Sequence, residues 1–302
     1  MNREDRRNRI RPEQRARLKA IRESIQGGDT DFARSLIEEL GGEDGNPEVA
    51  KLYFLGRTCM RENKFDEAIS WFDKVLKLNP NLTAAMMQKG KALMSKQDAE
   101  GASTVFKTVL DLDPDKEAAL LYLGKLDLES GKLEEAELGI RNAIALNPQH
   151  LNARLMLARV LEKRGDVEQA IKVLEELIVD YPDAAQAHHH RGAFLFRVGR
   201  LEEAKRSLEK AVELDPDRAA SAFLLGNIHF KLNEFNSAEK VFLDCLEKHP
   251  QFAPALYRLA ESLAALGRSG DAIKLLQQDI ERRRKRSGAH GVLGKIYTAE
   301  GR

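Results

Sequence analysis

Three consecutive histidines, His188-His189-His190, are the residues of this chain that most suggest metal chemistry. Imidazole is a frequent ligand of zinc and other transition metals. On a helix, however, adjacent side chains point about 100° apart, so three in a row cannot close on one ion. A second ligand four residues further on is needed, and Gly, Ala and Phe stand there. We therefore predict that these histidines pack or line a surface, and we expect no metal and no other cofactor.

Phosphate-binding and catalytic patterns are the next candidates. Gly288–Lys295 suggests a phosphate loop, but its glycine spacing is wrong and Ile296 stands where Ser or Thr is needed. The repeated Glu-Glu-Ala at 134–136 and 202–204 predicts the first turn of a helix, where acidic residues favour the helix dipole, rather than a catalytic carboxylate pair. No nucleophile and base share a useful spacing, so we do not expect the array by itself to be an enzyme.

Basic residues recur every 34 positions at Arg57, Lys91, Lys125 and Arg159. Apolar residues recur in the same step beside them, at Tyr53, Met87, Leu121 and Leu155 and at Met60 and Met94. A basic row flanked by apolar side chains would bind an extended or helical peptide that carries acidic and hydrophobic residues, and methionines there would adapt to varied partners. Alternatively, these bases only keep the surface soluble while their stems cover neighbouring residues.

A 34-residue repeat must position these residues. Prolines keep that step at Pro80, Pro114, Pro148, Pro182, Pro216 and Pro250. Small residues keep it at Gly56, Gly90, Gly124, Ala158, Gly192, Gly226, Ala260 and Gly294, and alanines at Ala68, Ala102, Ala136, Ala170, Ala204, Ala238 and Ala272. Self-similarity at this period is typical of an array of helix pairs rather than of one globular core.

With Val49 as position 1, the small residue is at position 8, the alanine at 20 and the proline at 32. We expect positions 8 and 20 to face each other across two antiparallel helices, and proline to end the second helix because it has no N–H to donate. A turn within each pair is expected near Asn63, Gln97, Gly131, Gly165, Gly199, Asn233 and Gly267.

These columns, with a large apolar residue at position 24, resemble the tetratricopeptide repeat family over roughly residues 49–302. Two departures are the missing tryptophan at position 4 and Arg284 in place of the last proline. The resemblance implies an all-α fold, a right-handed superhelical α-solenoid of antiparallel helix pairs. It also implies a concave groove that binds peptide through positions 2, 5, 6, 9, 12 and 13 of the first helices. The predicted groove residues are Tyr53, Arg57, Met60, Met87, Lys91, Met94, Leu121, Tyr122, Lys125, Leu155, Arg159, His189, Phe196 and Asn227.

Charge is uneven along the 302 residues. Residues 23–281 hold 33 bases and 44 acids, a net charge of −11, while residues 1–22 and 282–302 are basic. No apolar run approaches a membrane span, and the N-terminus lacks the apolar stretch of a signal peptide. Cys59 and Cys245 fall in interior columns, which predicts buried, reduced thiols. A cytoplasmic location is therefore expected.

The domain organisation follows from the repeat. We predict a disordered basic tail over 1–11, a degenerate helix pair with its linker over 12–48, and seven repeats over 49–286. One further helix is predicted over 287–302, either as a cap or as the first half of an eighth repeat. Gly-Arg at 301–302 matches the start of the turns at 199 and 267, which favours a chain that is cut there.

Three functional interpretations remain open. The leading one is a protein-interaction scaffold that binds a partly acidic peptide segment in its groove. The second is a substrate-recruiting arm of a larger enzyme, of the transferase or hydroxylase type, whose catalytic domain lies beyond Arg302. The third is weak binding of nucleic acid or anionic membrane through the two basic ends. The terminal helices could also mediate oligomerisation.

Overall fold

The structure is a computed structural model that describes residues 47–282 and 287–299, together with residues 16, 19–21, 23–24, 27 and 29. All regular elements of this part are α-helices, and no strand occurs in it. The predicted tail, the linker, most of the basic run at 282–286 and the end at 300–302 lie outside the described residues, as does most of the predicted helix pair at 12–48.

The chain divides into two compact units, residues 1–149 and 150–302. Unit 1 contains α1 Pro47–Arg61, α2 Phe65–Leu78, α3 Thr83–Ser95, α4 Ala99–Leu112, α5 Glu117–Glu129 and α6 Leu133–Leu146. Unit 2 contains α7 Leu151–Arg164, α8 Val167–Asp180, α9 Ala185–Arg197, α10 Leu201–Leu214, α11 Ala219–Lys231, α12 Phe235–Lys248, α13 Ala253–Ala265, α14 Ser269–Arg282 and α15 Ser287–Ala299.

The turns and ends of these helices fall where the 34-residue pattern predicts them. All seven predicted turn residues have positive φ, from 58° at Asn63 to 99° at Gly165. Glycine and asparagine adopt this left-handed conformation at low cost, which explains their place after a first helix. The second helices α2, α4, α6, α8, α10 and α12 each end two residues before a proline of the ladder. Each unit is therefore an array of antiparallel helix pairs, the architecture of an α-solenoid.

The small-residue column faces positions 20 and 24 of the second helix, and its nearest neighbours are the side chains at position 24. A Cβ added at Gly56 would lie 2.7 Å from the Phe72 ring, and one at Gly226 would lie 2.4 Å from the Phe242 ring. The backbone oxygen at position 20 is a more distant neighbour, 3.2 Å away for Gly192. Glycine at position 8 thus makes room for the largest side chains of the core.

Both cysteines lie in these cores. Cys59 is fully buried with Phe72 in unit 1, and Cys245 is 3% exposed beside Phe242 in unit 2. Both residues are reduced thiols, and burial raises the pKa of Cys245. A raised pKa disfavours the thiolate, so this residue acts as a small core side chain.

Candidate functional site

The first-helix face of each unit is the surface formed by positions 2, 5, 6, 9, 12 and 13 of its first helices. In unit 1 it carries an open cleft of about 510 Å³. Four residues predicted from the sequence line it: Lys91 and Met94 of α3, and Tyr122 and Lys125 of α5. The remaining lining residues are Ser95, Gln97, Ala99, Leu126 and Glu129. The 34-residue step therefore brings two lysines, an aromatic ring and a methionine to one surface depression.

The two lysines of the cleft are only weakly engaged. Lys91 Nζ lies 5.1 Å from the ring centroid of Tyr122, a cation–π contact. Lys125 Nζ lies 3.8 Å from a carboxylate oxygen of Glu129, with half of the lysine side chain exposed. Exposed ion pairs of this kind contribute about 0–1 kcal/mol. Both cations are therefore available to an acidic ligand at small cost.

The ring of Tyr122 packs against the hydrophobic core of unit 1. Its ring stacks on Phe106 of α4 with a centroid distance of 5.2 Å and an interplanar angle of 11°. Phe106 is itself fully buried against Gly90 of α3. The core of the second repeat thus fixes the position of the Tyr122 ring, which Lys91 contacts.

Four further predicted residues of unit 1 lie outside the lining of the cleft. Tyr53, Arg57 and Met60 of α1 and Leu121 of α5 are half-buried. Within the described part of the chain, Arg57 forms no ion pair with a carboxylate.

Four predicted groove residues are buried, which the sequence did not indicate. The exposed fractions are 6% for Met87, 5% for Leu155, 8% for His189 and 7% for Asn227. Three of them occupy position 5, and among these His189 contacts Ser221 of the next first helix. Their side chains lie beneath the first-helix face in this structure.

The first-helix face of unit 2 also carries cation–π contacts and an ion pair. Lys231 Nζ lies 4.6 Å from the centroid of Phe196, and the Arg258 guanidinium lies 5.5 Å from that of Phe230. Glu261, at position 9, accepts from Arg258 at 2.8 Å. Two cations of this face therefore contact aromatic rings. Arg159 on α7 is exposed.

The three histidines of α9 make three different contacts. His188 Nε2 is 2.8 Å from the carbonyl oxygen of Pro182, and His189 Nδ1 is 2.9 Å from Ser221 Oγ. The ring of His190 lies against Phe194 at a centroid distance of 6.0 Å. Among the described residues, no group of three or more His, Cys, Asp or Glu side chains could hold a metal ion.

Burial, and to a smaller extent the positive charge of Arg218, lower the pKa of His189 from 6.5 to about 4. Burial is also the largest cause for His190, whose pKa falls to about 4, with contributions from His189, Arg218 and Arg159. Both rings are therefore neutral at pH 7. Arg218 and Ser221 were not predicted from the sequence. Arg218 immediately precedes α11 and Ser221 lies in its first turn, and both positions are outside the expected groove set.

The cleft of unit 1 also contains residues that the sequence analysis missed. Ser95 and Glu129 occupy position 13, which belongs to the expected groove set, so the repeat register could have identified them. Gln97 is the turn residue with φ of 64°. Its proximity to the cleft depends on the turn geometry, which the register does not contain.

No helix in the described part of the chain combines the length and the apolar character needed to cross a bilayer.

Comparison with protein families gives three matches. Tetratricopeptide repeat models match residues 49–82 and 93–138. The middle TPR-like domain of cilia and flagella-associated protein 70 matches residues 154–301. No curated protein sequence matches the chain.

Solved structures similar to the chain include MamA, at 27% identity over 55% of this chain and 96% of MamA, with a TM-score of 0.51. PilF of Pseudomonas aeruginosa is 17% identical over 70% of this chain and 97% of its own, with a TM-score of 0.60. PilW, a type IV pilus biogenesis factor, is 18% identical over 70% and 98%, with a TM-score of 0.62. At such identities PilF and PilW show the fold alone.

The sequence columns, the left-handed turns and the three family matches agree with one another. They support a role as a protein-interaction scaffold, the role typical of such arrays. The chain belongs to the tetratricopeptide repeat family.

Proposed function

We propose that the first-helix face of unit 1 binds a peptide segment of a partner protein that carries acidic and apolar side chains. The observation that supports this most directly is the cleft lined by Lys91, Met94, Tyr122 and Lys125. It combines two weakly engaged cations with an aromatic ring and a flexible apolar side chain. A peptide with acidic residues spaced among hydrophobic ones complements that surface.

The two kinds of contact have different roles. Burying Met94 and the Tyr122 ring against an apolar ligand side chain supplies affinity, at about 25 cal/mol for each Å² of apolar surface removed from water. Lys91 and Lys125 attract acidic residues and disfavour basic ones, which determines the class of ligand more than the strength of binding. Arg57 would extend the same selection along α1.

Charge reversal tests the proposal. A display library of random 15-residue peptides is selected against the whole chain, and affinities of the recovered peptides are measured. We expect enrichment in Asp, Glu and large apolar residues. In the double variant Lys91→Glu with Lys125→Glu, these peptides should bind at least ten-fold more weakly, because each site changes from attraction to repulsion.

The matched control places the same charge change on second helices of the same unit. Lys77 of α2 and Lys107 of α4 are exposed, so Lys77→Glu with Lys107→Glu alters net charge equally without touching the cleft. Affinity should stay within two-fold of the parent chain. Recovery of peptides without acidic enrichment, or greater loss in the control than in the cleft variant, contradicts the proposed function.

A further inference from the structure

A cavity of about 220 Å³ lies in unit 2 between α10, α11 and α12. Its apolar lining residues are Val212, Ala219, Ala222, Leu225, Val241 and Cys245. Asp244, Glu247 and Lys248 also line it and are themselves exposed, so the cavity can be reached from solvent. This unit 2 cavity shares no residue with the cleft of unit 1.

The repeat explains why space is left at this place. Position 4 of the first helix is Leu52, Met86, Leu120, Arg154, His188 and Leu256 in six of the seven repeats. Ala222 is the small residue of this column, and it is 8% exposed. Leu52 and Leu256 pack against the cores of their own repeats. The side chain that usually occupies position 4 is therefore missing from the lining of the cavity.

The lining also includes one buried polar atom without a partner. His249 lines the cavity, and within the described part of the chain its Nε2 atom is buried and has no hydrogen-bond partner. The backbone N–H of the same residue donates to the carbonyl oxygen of Cys245 at 2.9 Å. A buried nitrogen that has lost water and gained no partner is costly. A polar group on a bound ligand would supply the missing hydrogen bond.

Contacts between the walls hold the cavity in shape. Lys248 Nζ donates to the carbonyl oxygen of Pro216 at 3.1 Å and lies 3.7 Å from a carboxylate oxygen of Asp217. The Cys245 thiol lies 3.9 Å from the carbonyl oxygen of Ala219. These contacts join the end of α12 to the turn before α11 and to its first residue. A preformed apolar cavity with few polar groups is the usual form of a small-molecule site.

We propose that the unit 2 cavity binds a small aromatic ring that carries a hydroxyl group, with the ring against Ala222, Leu225 and Val241 and the hydroxyl at His249 Nε2. The volume is sufficient, since an apolar cavity of about 150 Å³ holds benzene. A hydroxyl group both donates and accepts, so it satisfies Nε2 in either tautomer of the imidazole. This site does not depend on the peptide-binding function proposed for unit 1.

Phenol and toluene test the site, because they differ only in a hydroxyl group in place of a methyl group. In the whole chain labelled at alanine methyl groups, the signals of Ala219 and Ala222 are followed by NMR as each compound is added. We expect phenol to shift both signals saturably, with a Kd of about 0.1–1 mM for so small a ligand. Absence of a saturable shift up to about 10 mM phenol overturns the proposal.

Filling the cavity should abolish binding. Ala222→Leu introduces the residue that three other repeats have at position 4, so phenol should bind at least ten-fold more weakly and the midpoint temperature of unfolding should rise. Ala220→Leu makes the same change at an exposed position of α11 and is the matched control. Its phenol affinity, followed through the same two signals, should stay within two-fold of the parent chain. Undiminished phenol binding by the Ala222→Leu chain contradicts the site.

His249→Leu tests the recognition of the hydroxyl group independently. The ratio of phenol affinity to toluene affinity should fall at least five-fold in this variant, because Nε2 is lost while the apolar lining is kept. Toluene affinity itself should stay within about two-fold of the parent chain. An unchanged ratio shows that His249 does not bind the hydroxyl group and overturns the assigned class of ligand.

Two seven-residue peptides that differ only in a central tyrosine or alanine distinguish the source of the ring. Shifts of Ala219 and Ala222 with phenol and with the tyrosine peptide assign the site to a tyrosine side chain of a partner. Shifts with phenol alone assign it to a free small molecule. Equal shifts with the two peptides contradict recognition of the ring.

Discussion

The first-helix faces of the two units use the same repeat with different electrostatic arrangements. In unit 1, Lys91 and Lys125 stand beside an open cleft with weak partners. In unit 2, Lys231 and Arg258 lie over phenylalanine rings, and Arg258 also contacts Glu261. Both faces place cations against aromatic rings, and in unit 1 Lys91 and Lys125 also line an open cleft.

Two columns of the repeat account for this difference. Position 12 is methionine at Met60 and Met94 but phenylalanine at Phe196 and Phe230, and an aromatic face attracts a neighbouring cation. Position 9 is basic in the first four repeats and then changes to other residue types, including Asn227. Ligand selection in such an array can therefore change through two columns while the helix packing stays the same.

The strongest test of this comparison disrupts one unit at a time. Gly124 in unit 1 and Gly192 in unit 2 are matched, because an added Cβ would lie 2.8 Å from Ile140 and 2.6 Å from Leu208. Replacing either with leucine should lower the free energy of unfolding by about 2–4 kcal/mol, since overpacking at a close helix contact is poorly relieved. Urea unfolding followed by hydrogen exchange in each unit measures the loss.

Peptide binding should separate these two variants. Gly124→Leu should strongly weaken the binding of the acidic peptides, because α5 carries Tyr122 and Lys125. Gly192→Leu should leave their affinity within about two-fold, because it alters unit 2. Equal loss of binding in both variants would show that the cleft is not confined to unit 1.

A smaller effect should appear as the pH is lowered. All seven histidines of the chain are in unit 2. Well above pH 6.5 the rings of His189 and His190 are neutral in the folded and unfolded states alike. Below it, the unfolded chain binds protons that the folded rings accept only near pH 4, so stability is lost across this window. At pH 5 the loss should be on the order of 1–2 kcal/mol for each ring.

Hydrogen exchange measured at pH 7 and pH 5 checks this result. After correction for the intrinsic rate, protection of α9 should fall more than that of α5. The double variant His189→Asn with His190→Phe should remove most of the difference between the two helices. An equal fall in both helices would assign the acid sensitivity to carboxylates rather than to these histidines.

Much of the fold could be predicted because each repeat column has one dominant physical cause. Proline ends a helix wherever it occurs, and a left-handed turn selects residues such as Gly165 and Asn63. The pairing of columns 8 and 24 is also readable in the sequence. The three phenylalanines at position 24 follow glycine at position 8, whereas Ala158 and Ala260 precede leucine. Aromatic rings need the space that a methyl group would occupy.

The candidate sites were less predictable, because accessibility depends on neighbouring repeats. Position 5 is half-buried at Tyr53 but buried at Met87 and His189, although all three share one register. The contact between His189 and Ser221 joins residues 32 positions apart in different repeats. Register places a residue on a helix face, but packing with the adjacent helix decides whether a ligand can reach it.

The smallest predicted effect concerns a polar group that the first-helix face of unit 2 covers. Asn227 is 7% exposed, and its side-chain oxygen Oδ1 accepts no hydrogen bond in the described structure. A buried amide oxygen without a donor costs about 1–3 kcal/mol, whereas an apolar side chain of similar volume has no such cost. Asn227→Leu should therefore leave the free energy of unfolding unchanged or raise it by up to about 1 kcal/mol.

The corresponding change on the surface supplies the control. Asn236 of α12 is exposed in the same unit, so Asn236→Leu loses only hydrated contacts and should change stability by no more than about 0.5 kcal/mol. Thermal and urea unfolding of both variants give the comparison. If Asn227→Leu lowers the free energy of unfolding by more than about 1 kcal/mol, the amide of Asn227 makes a stabilising hydrogen bond, for instance to a buried water. Position 9 would then contribute to stability in unit 2 through Asn227, whereas in unit 1 the same position places Lys91 and Lys125 at the cleft.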